Sequence, residues 1–383
     1  MIYFDNAATT MLKPPAVAEA VARAINSFGG AGRGVHEASL DAGMTIFGAR
    51  ASIARLLGAP DPKHVCFTSN VTESLNIAIA GLLHAGSHAI TTAASHNSVL
   101  RPLYRKVDEE GAELSIVPIA PDASLDLEAY EAAFKPNTKL VVATHASNLT
   151  GDVYDIARMA AIAHDHGALF VLDAAQTAGS VPTNMAELGV DVLCFTGHKS
   201  LFGPQGTGGL CLAEGIDIPA LKEGGSGTHS YDRRHPSFYP EHLEAGTING
   251  HGIAGLAAGV AFIEEAGVEA IHAHTLELSD RFEAAVRDVP GVTVYGGHGG
   301  IDRTGIVCLN IGSADSGVVS DLLNAEYGIC TRAGAHCAPL MHMAMGTEGP
   351  GAVRFSFGYF NTAEEVDEGI RAIREIAASL GQE

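Results

Sequence analysis

The stretch "CFTGHKSLFGPQG", residues 194–206, sets one lysine, Lys199, between a short apolar run and a glycine-rich turn, with His198 at its shoulder. Lysines and arginines together number only 23 in this 383-residue chain, and most lysines ride on solvated helix faces. This one follows a strand-like run, Val190 to Phe195, and is enclosed by Gly197, Gly203 and Pro204. An amine in such a place loses solvation of its charged form, so its pKa falls and it becomes a nucleophile toward carbonyl carbon.

Outward from that turn, strand-like and helix-like segments alternate, the pattern of an α/β protein with a mostly parallel sheet. Short apolar runs recur at 64–68, 88–92, 114–119, 139–144, 168–173 and 190–195. Helical spacing fills most gaps, as at 156–167, and puts Leu40, Met44, Phe47, Ala51 and Ala54 on one face of a helix from His36 to Leu57. Residues 221–246 are polar and glycine-rich and read as a long surface loop. A helix-rich segment from about Ile253 to Val289 precedes renewed alternation and a closing helix, Thr362 to Leu380. The expected organisation is a large domain over 16–250 and a smaller α+β domain over 251–383, with residues 1–15 packing on the smaller one.

The composition, 46% apolar and 17% charged, is that of a folded globular protein. A formal charge of −21 argues against nucleic acid or an anionic membrane as partner. No apolar run reaches the roughly 18 residues of a spanning helix. The start "MIYFDNAATT" lacks the basic segment of a signal peptide, so a cytoplasmic location is expected. Of the six cysteines none forms a CxxC pair, and no metal site is expected. Cys66, Cys194, Cys211 and Cys308 lie in apolar runs and read as core packing.

Open α/β sheets bind ligands beyond the carboxyl ends of their strands, and four polar signals sit at such ends. "FTSNVTES" at 67–74 ends a strand and opens a helix, which suits a phosphate or an ordinary N-cap. "FVLDAAQTAG" at 170–179 ends a strand in Asp173, a carboxylate that is costly to bury without a cationic partner. "THASNLTG" places Asn148, and "TAASHNS" His96, in turns after strands. Taken singly, His96 reads as a structural histidine or a cap. Together, a phosphate cradle, a buried carboxylate, a flat imidazole and a buried lysine make a set suited to pyridoxal 5′-phosphate, whose aldehyde needs a lysine and whose ring nitrogen needs an acid. A nicotinamide cofactor is disfavoured because no GxGxxG follows the first strand.

"DAAQTAG" followed by "TGHKSLFGPQGTG" resembles the class V aminotransferase family of fold-type I pyridoxal phosphate enzymes. Within it, "YFDNAATT", "TSNVTESLN", "SHNSVL", "EAGTING" and "TRAGAHCAP" are similar to cysteine desulfurases and selenocysteine lyases, from residue 3 to about 370. The resemblance implies that Lys199 forms the Schiff base with the cofactor, Asp173 pairs with its ring nitrogen, and His96 stacks on its ring and acts catalytically as a proton carrier. It gives Asn148 and Gln176 to the phenolic side, and Val71, Thr72, Thr196 and His198 to the phosphate. Thr247 would reach the phosphate of a second subunit's cofactor, which implies a homodimer. Arg354, with Arg332 and Asn6, would meet the substrate, and Arg33 would line the entrance.

The reaction turns on "CTRAGAHCAPLMHM" at 330–343. Cys337 lies in a loop beside His336, and a thiol near a histidine can be poised as thiolate. Local context alone also allows a buried loop cysteine. By resemblance it is the sulfur-accepting cysteine: L-cysteine becomes L-alanine, Cys337 takes the sulfur as a persulfide, and an acceptor protein collects it. The family alternatives are a selenocysteine lyase acting on L-selenocysteine, and an aminotransferase or epimerase that leaves Cys337 idle. Ala335 stands where many relatives carry a second histidine.

Overall fold

Apolar runs of four to seven residues, each closed by a polar or glycine signal, become the strands of a sheet buried on both faces. The structure, a computed structural model, describes residues 1–31, 34–297 and 302–380. The chain begins with β1 (Ile2–Tyr3), α1 (Pro15–Ser27), α2 (Glu37–Leu57), β2 (Val65–Thr68), α3 (Val71–Leu82), β3 (His88–Thr92), α4 (Asn97–Glu110) and β4 (Glu113–Val117). It continues through α5 (Leu127–Ala132), β5 (Thr138–Thr144), β6 (Asp152–Val153), α6 (Ile156–Asp165), β7 (Leu169–Asp173), α7 (Met185–Leu188), β8 (Val192–Thr196) and β9 (Gly208–Leu212). After a long loop come α8 (Gly250–Ala266), α9 (Val268–Val286), β10 (Val292–Tyr295), β11 (Asp302–Arg303), β12 (Ile306–Ile311) and α10 (Ser316–Tyr327). The chain closes with β13 (Ile329–Cys330), α11 (Pro339–Met345), β14 (Val353–Ser356) and α12 (Ala363–Leu380).

The main sheet has the order β2-β9-β8-β7-β5-β3-β4. The neighbours from β8 to β4 run parallel, while β9 lies antiparallel to both β2 and β8. Helices cover both faces, so β3, β5, β7 and β8 read as continuous apolar runs rather than alternating ones. The parallel strands deliver Asp173 and Thr196, the last residues of β7 and β8, to one edge.

β9 falls in a glycine-rich stretch whose composition does not mark a strand. Its glycines are required by close approach: a Cβ on Gly209 would stand 2.5 Å from the Phe195 ring and 2.6 Å from the Cys66 carbonyl oxygen. The helix-rich segment is two helices, parted at Gly267, whose φ of 85° favours glycine. α8 packs on α1 and α2, whereas α9 packs on α12 and on the antiparallel sheet β10-β12-β14. β1 pairs in parallel with β13. The stripe on α2 is mostly an outward face: Leu40, Met44 and Phe47 are 54%, 74% and 57% exposed, while Ala42, Ile46, Ala49 and Ile53 face the core. Among the described residues no helix is long and apolar enough to cross a membrane.

Gly209→Ala should lower the unfolding free energy by about 1–3 kcal/mol, because the added methyl overpacks the sheet. Gly48→Ala, in α2 with open space around its missing side chain, should be neutral or slightly stabilising. Urea titration of both variants against the parent protein checks the contrast.

Candidate active site

β8 ends at Thr196, and the chain reverses sharply through Gly197 to Gly203. Gly197 donates its N–H to the Thr207 carbonyl (2.8 Å) and Gly203 donates to the Gly197 carbonyl (2.7 Å). A Cβ on Gly197 would come within 2.1 Å of the Thr207 hydroxyl, so the turn that carries Lys199 tolerates only glycine there. The His198 carbonyl is held from the N-terminal segment by Thr9 Oγ1 (3.1 Å), Thr10 Oγ1 (3.1 Å), the Thr10 N–H (3.2 Å) and Lys13 Nζ (3.3 Å). No local pattern in the sequence marks Thr9, Thr10 or Lys13 for this role. The motif "YFDNAATT" is the signal for the two threonines, and their partner lies 189 residues away.

Burial lowers the Lys199 amine to about 8; Asp173 opposes that shift, and Arg354 and Arg332 reinforce it. Asp173 is itself buried and its carboxyl is raised by lost solvation, against the Ala175 N–H (3.0 Å to Oδ1) and Lys199. The two groups thus sit in the same low-dielectric pocket and each favours the other's charged form.

His96 is the N-cap of α4. Its Nδ1 accepts the Ser98 N–H (3.0 Å), which leaves the ring proton on Nε2. The Ser98 hydroxyl lies 2.9 Å from Nδ1 and 2.8 Å from Thr72 Oγ1, tying the starts of α3 and α4 together. Burial first, then the charges of Lys199, Arg332, Arg354 and Arg101, lowers His96 to about 4, so the ring is neutral near pH 7. Burial, Lys199 and Lys13 likewise lower His198, whose Nδ1 lies 3.1 Å from Thr9 Oγ1, to about 4.

Two features fit an anion. α3 opens with the N–H groups of Val71 and Thr72 free of helical acceptors, below an N-cap in which Asn70 Oδ1 accepts from Glu73 (3.0 Å). Thr196 Oγ1 is buried with no hydrogen-bond partner among the described residues. Register places Gly208 between Thr68 and Thr196, so the end of β8 stands one strand from the start of α3.

Asn148 and Arg354 lock the other side. Asn148 Nδ2 donates to the His336 carbonyl (2.8 Å), and its own carbonyl accepts from Arg354 Nη1 (2.8 Å). Arg354 is 1% exposed; Nη2 donates to Asp5 Oδ1 (2.9 Å), while Nε has no partner among the described residues. Asp5, which nothing local in the sequence singles out, is therefore the counter-charge of this guanidinium. Arg332 exchanges backbone hydrogen bonds with Arg354, and Gln176 Nε2 donates to the Ala7 carbonyl (3.2 Å).

Cys337 is half-buried and, like His336, takes a left-handed backbone (φ 57° and 51°), uncommon for residues with a Cβ. Its carbonyl accepts the Asn97 N–H (2.8 Å), which fastens the thiol loop to the first residue of α4, next to His96. His336 does not behave as the sequence suggested. It is buried, burial lowers it to about 3, and Nε2 lies 3.0 Å from the Arg332 carbonyl. A neutral ring of that kind offers no positive charge to a thiolate. Ala335 is exposed.

Three further expected residues are Thr247, Asn6 and Arg33. Thr247 is exposed on the rim of a cleft of about 930 Å³ that also touches Phe28 and Phe47. Asn6 uses Nδ2 to fasten the N-terminal segment to the Ser356 carbonyl (2.9 Å) and Asn361 Oδ1 (3.0 Å). Arg33 lies outside the described residues.

A chain with this sheet, this lysine turn and this carboxylate belongs to the class-V aminotransferase family, whose model matches residues 2–368. It is 36% identical to a probable cysteine desulfurase of Halobacterium salinarum, over 98% of this chain and 91% of that one. It is 33% identical to a probable cysteine desulfurase of Methanothermobacter thermautotrophicus, over 98% and 94%. Its fold matches the apo structure of the cysteine desulfurase from Thermococcus onnurineus with a TM-score of 0.90, at 32% identity over 99% and 95% of the two chains.

The lowered amine has a direct readout. Competitive acetylation followed by peptide mass spectrometry should show Lys199 reactivity rising through a midpoint of about 8 in the cofactor-free protein. The neutral, nucleophilic form prevails above that pH; a midpoint near the ordinary lysine value of about 10.4 would contradict the burial argument.

Proposed function

We propose that this chain is a pyridoxal 5′-phosphate-dependent cysteine desulfurase that converts L-cysteine to L-alanine and takes the sulfur onto Cys337. The observation that carries the proposal is the joint placement of a depressed lysine amine against a buried carboxylate, with a loop cysteine tied to the helix that His96 caps. The names of the relatives support the same reading. Bound, the cofactor supplies an aldehyde for amines and a protonated ring that withdraws electrons from the substrate.

The geometry supports the following roles. The α3 N-terminus at Val71 and Thr72, the orphaned Thr196 hydroxyl and His198 suit the phosphate. Asp173 suits the ring nitrogen, Asn148 and Gln176 the phenolic side, and neutral His96 the ring face. Arg354 offers its free Nε, with Arg332 beside it, to the substrate carboxylate. Lys199 removes the Cα proton. The Cys337 thiolate attacks the substrate sulfur: an S–S bond forms, the substrate C–S bond breaks, and protonation at carbon yields alanine. Asn6 acts here through the N-terminal segment that it fastens.

A homodimer fits the outward stripe Leu40, Met44 and Phe47 together with the cleft at Thr247. A cytoplasmic setting fits six free cysteines. Two units and an N-terminal segment on the smaller one fit the β1–β13 pair, and the packing of α8 favours a junction nearer Gly267 than residue 250.

Cys337→Ser should cut alanine formation from L-cysteine at least about a hundredfold and abolish the gain of one sulfur in protein mass. L-selenocysteine, whose selenol leaves without an attacking thiol, should still be turned over. Full activity of the variant on L-cysteine, or a keto acid as the main product, would reject the persulfide route.

A further inference from the structure

A groove of about 390 Å³ begins at Cys337 and His96 and runs along α4 past Arg101 to Arg105. Both arginines are exposed, stand one helical turn apart, and have no hydrogen-bond or ion-pair partner among the described residues. The nearby Glu110 is bound by Lys106 (2.7 Å) and feels the charge of Arg105 without pairing to it, and the charge of Arg101 is felt at His96. On a chain of net charge −21, two unpaired guanidiniums beside a reactive thiol form a local attractor for carboxylates.

The spacing says what shape the ligand has. Asn97 is fastened to the Cys337 carbonyl, and Arg101 and Arg105 lie four and eight residues along the helix from it. At 1.5 Å per residue they stand about 6 and 12 Å from that anchor. An extended peptide rises about 3.3 Å per residue and presents every second side chain on one face. Carboxylates two and four positions from a cysteine therefore match the two guanidiniums. A small free thiol does not span the second distance.

We propose that the groove along α4 binds the sulfur-accepting segment of a partner protein, an extended stretch with acidic side chains two and four residues from its cysteine. This rests on the desulfurase reading above. The acceptor thiolate attacks the outer sulfur of the Cys337 persulfide, the new S–S bond forms on the acceptor, and Cys337 leaves as thiolate. Atoms and electrons balance without an added oxidant.

The test uses cofactor-loaded enzyme charged with sulfur by L-cysteine, and nonapeptides with a central cysteine. One peptide carries glutamates two and four positions to either side, a second carries them at one and three, and a third carries lysines at two and four. Sulfur transfer to the first should exceed transfer to the third about tenfold at low salt, with the second between them. The Arg101→Gln/Arg105→Gln double variant should lose that preference while persulfide formation from L-cysteine stays unchanged. Equal rates for the three peptides, a preference that survives in the double variant, or faster transfer to mercaptoethanol at equal thiolate concentration would overturn the proposal. Absence of any persulfide on Cys337 would instead bring down the desulfurase reading beneath it.

Discussion

The carbonyl of His198 is the point on which the site depends. Donors from Thr9, Thr10 and Lys13 converge on it from the far end of the chain, and Lys199 is the next residue. Each such hydrogen bond is worth about 1 kcal/mol net, so their combined effect is positional as much as energetic. The N-terminal segment that supplies them is itself pinned by the β1–β13 pair and by the Asp5–Arg354 ion pair. One short segment thereby fixes the lysine turn, the buried guanidinium and the edge of the smaller sheet in a common frame.

Within that frame burial, more than any single charge, sets the protonation states. With Lys199 at about 8, about a tenth of its amines are neutral at pH 7, against about 0.04% for an ordinary lysine. His96 at about 4 carries a proton on both nitrogens in about one molecule in a thousand at pH 7. The positive charge of the pocket comes from Arg332, Arg354 and the protonated fraction of Lys199, opposite the buried Asp173 carboxyl. A neutral ring, a ready amine and a fixed carboxylate therefore coexist near neutral pH without mutual quenching.

Much of this was legible in the sequence, and the exceptions share physical causes. The parallel strands were readable because burial on both faces makes them continuous apolar runs. β9 was not, because its glycines answer to the Phe195 ring and the Cys66 carbonyl rather than to strand propensity. Lys199 and Asp173 were readable from polarity at the ends of apolar runs. Asp5, Thr9, Thr10 and Lys13 were not, since the partner of Asp5 lies 349 residues away and those of the other three about half the chain away. His336 misled because adjacency to Cys337 in sequence says nothing about where its ring proton points; the Arg332 carbonyl decides that. The apolar stripe of α2 was correctly seen as a stripe, and only the packing of α8 on that helix shows that the stripe is not the core face.

In the proposed reaction one buried amine, at the end of β8, is the covalent anchor of the cofactor. Borohydride reduction of the protein loaded with pyridoxal 5′-phosphate, followed by digestion and mass mapping, tests it most directly. The account predicts a phosphopyridoxyl adduct on the peptide containing Lys199 and on no other. An adduct on a different lysine, Lys13 included, or a protein that takes up no cofactor at all, would contradict it.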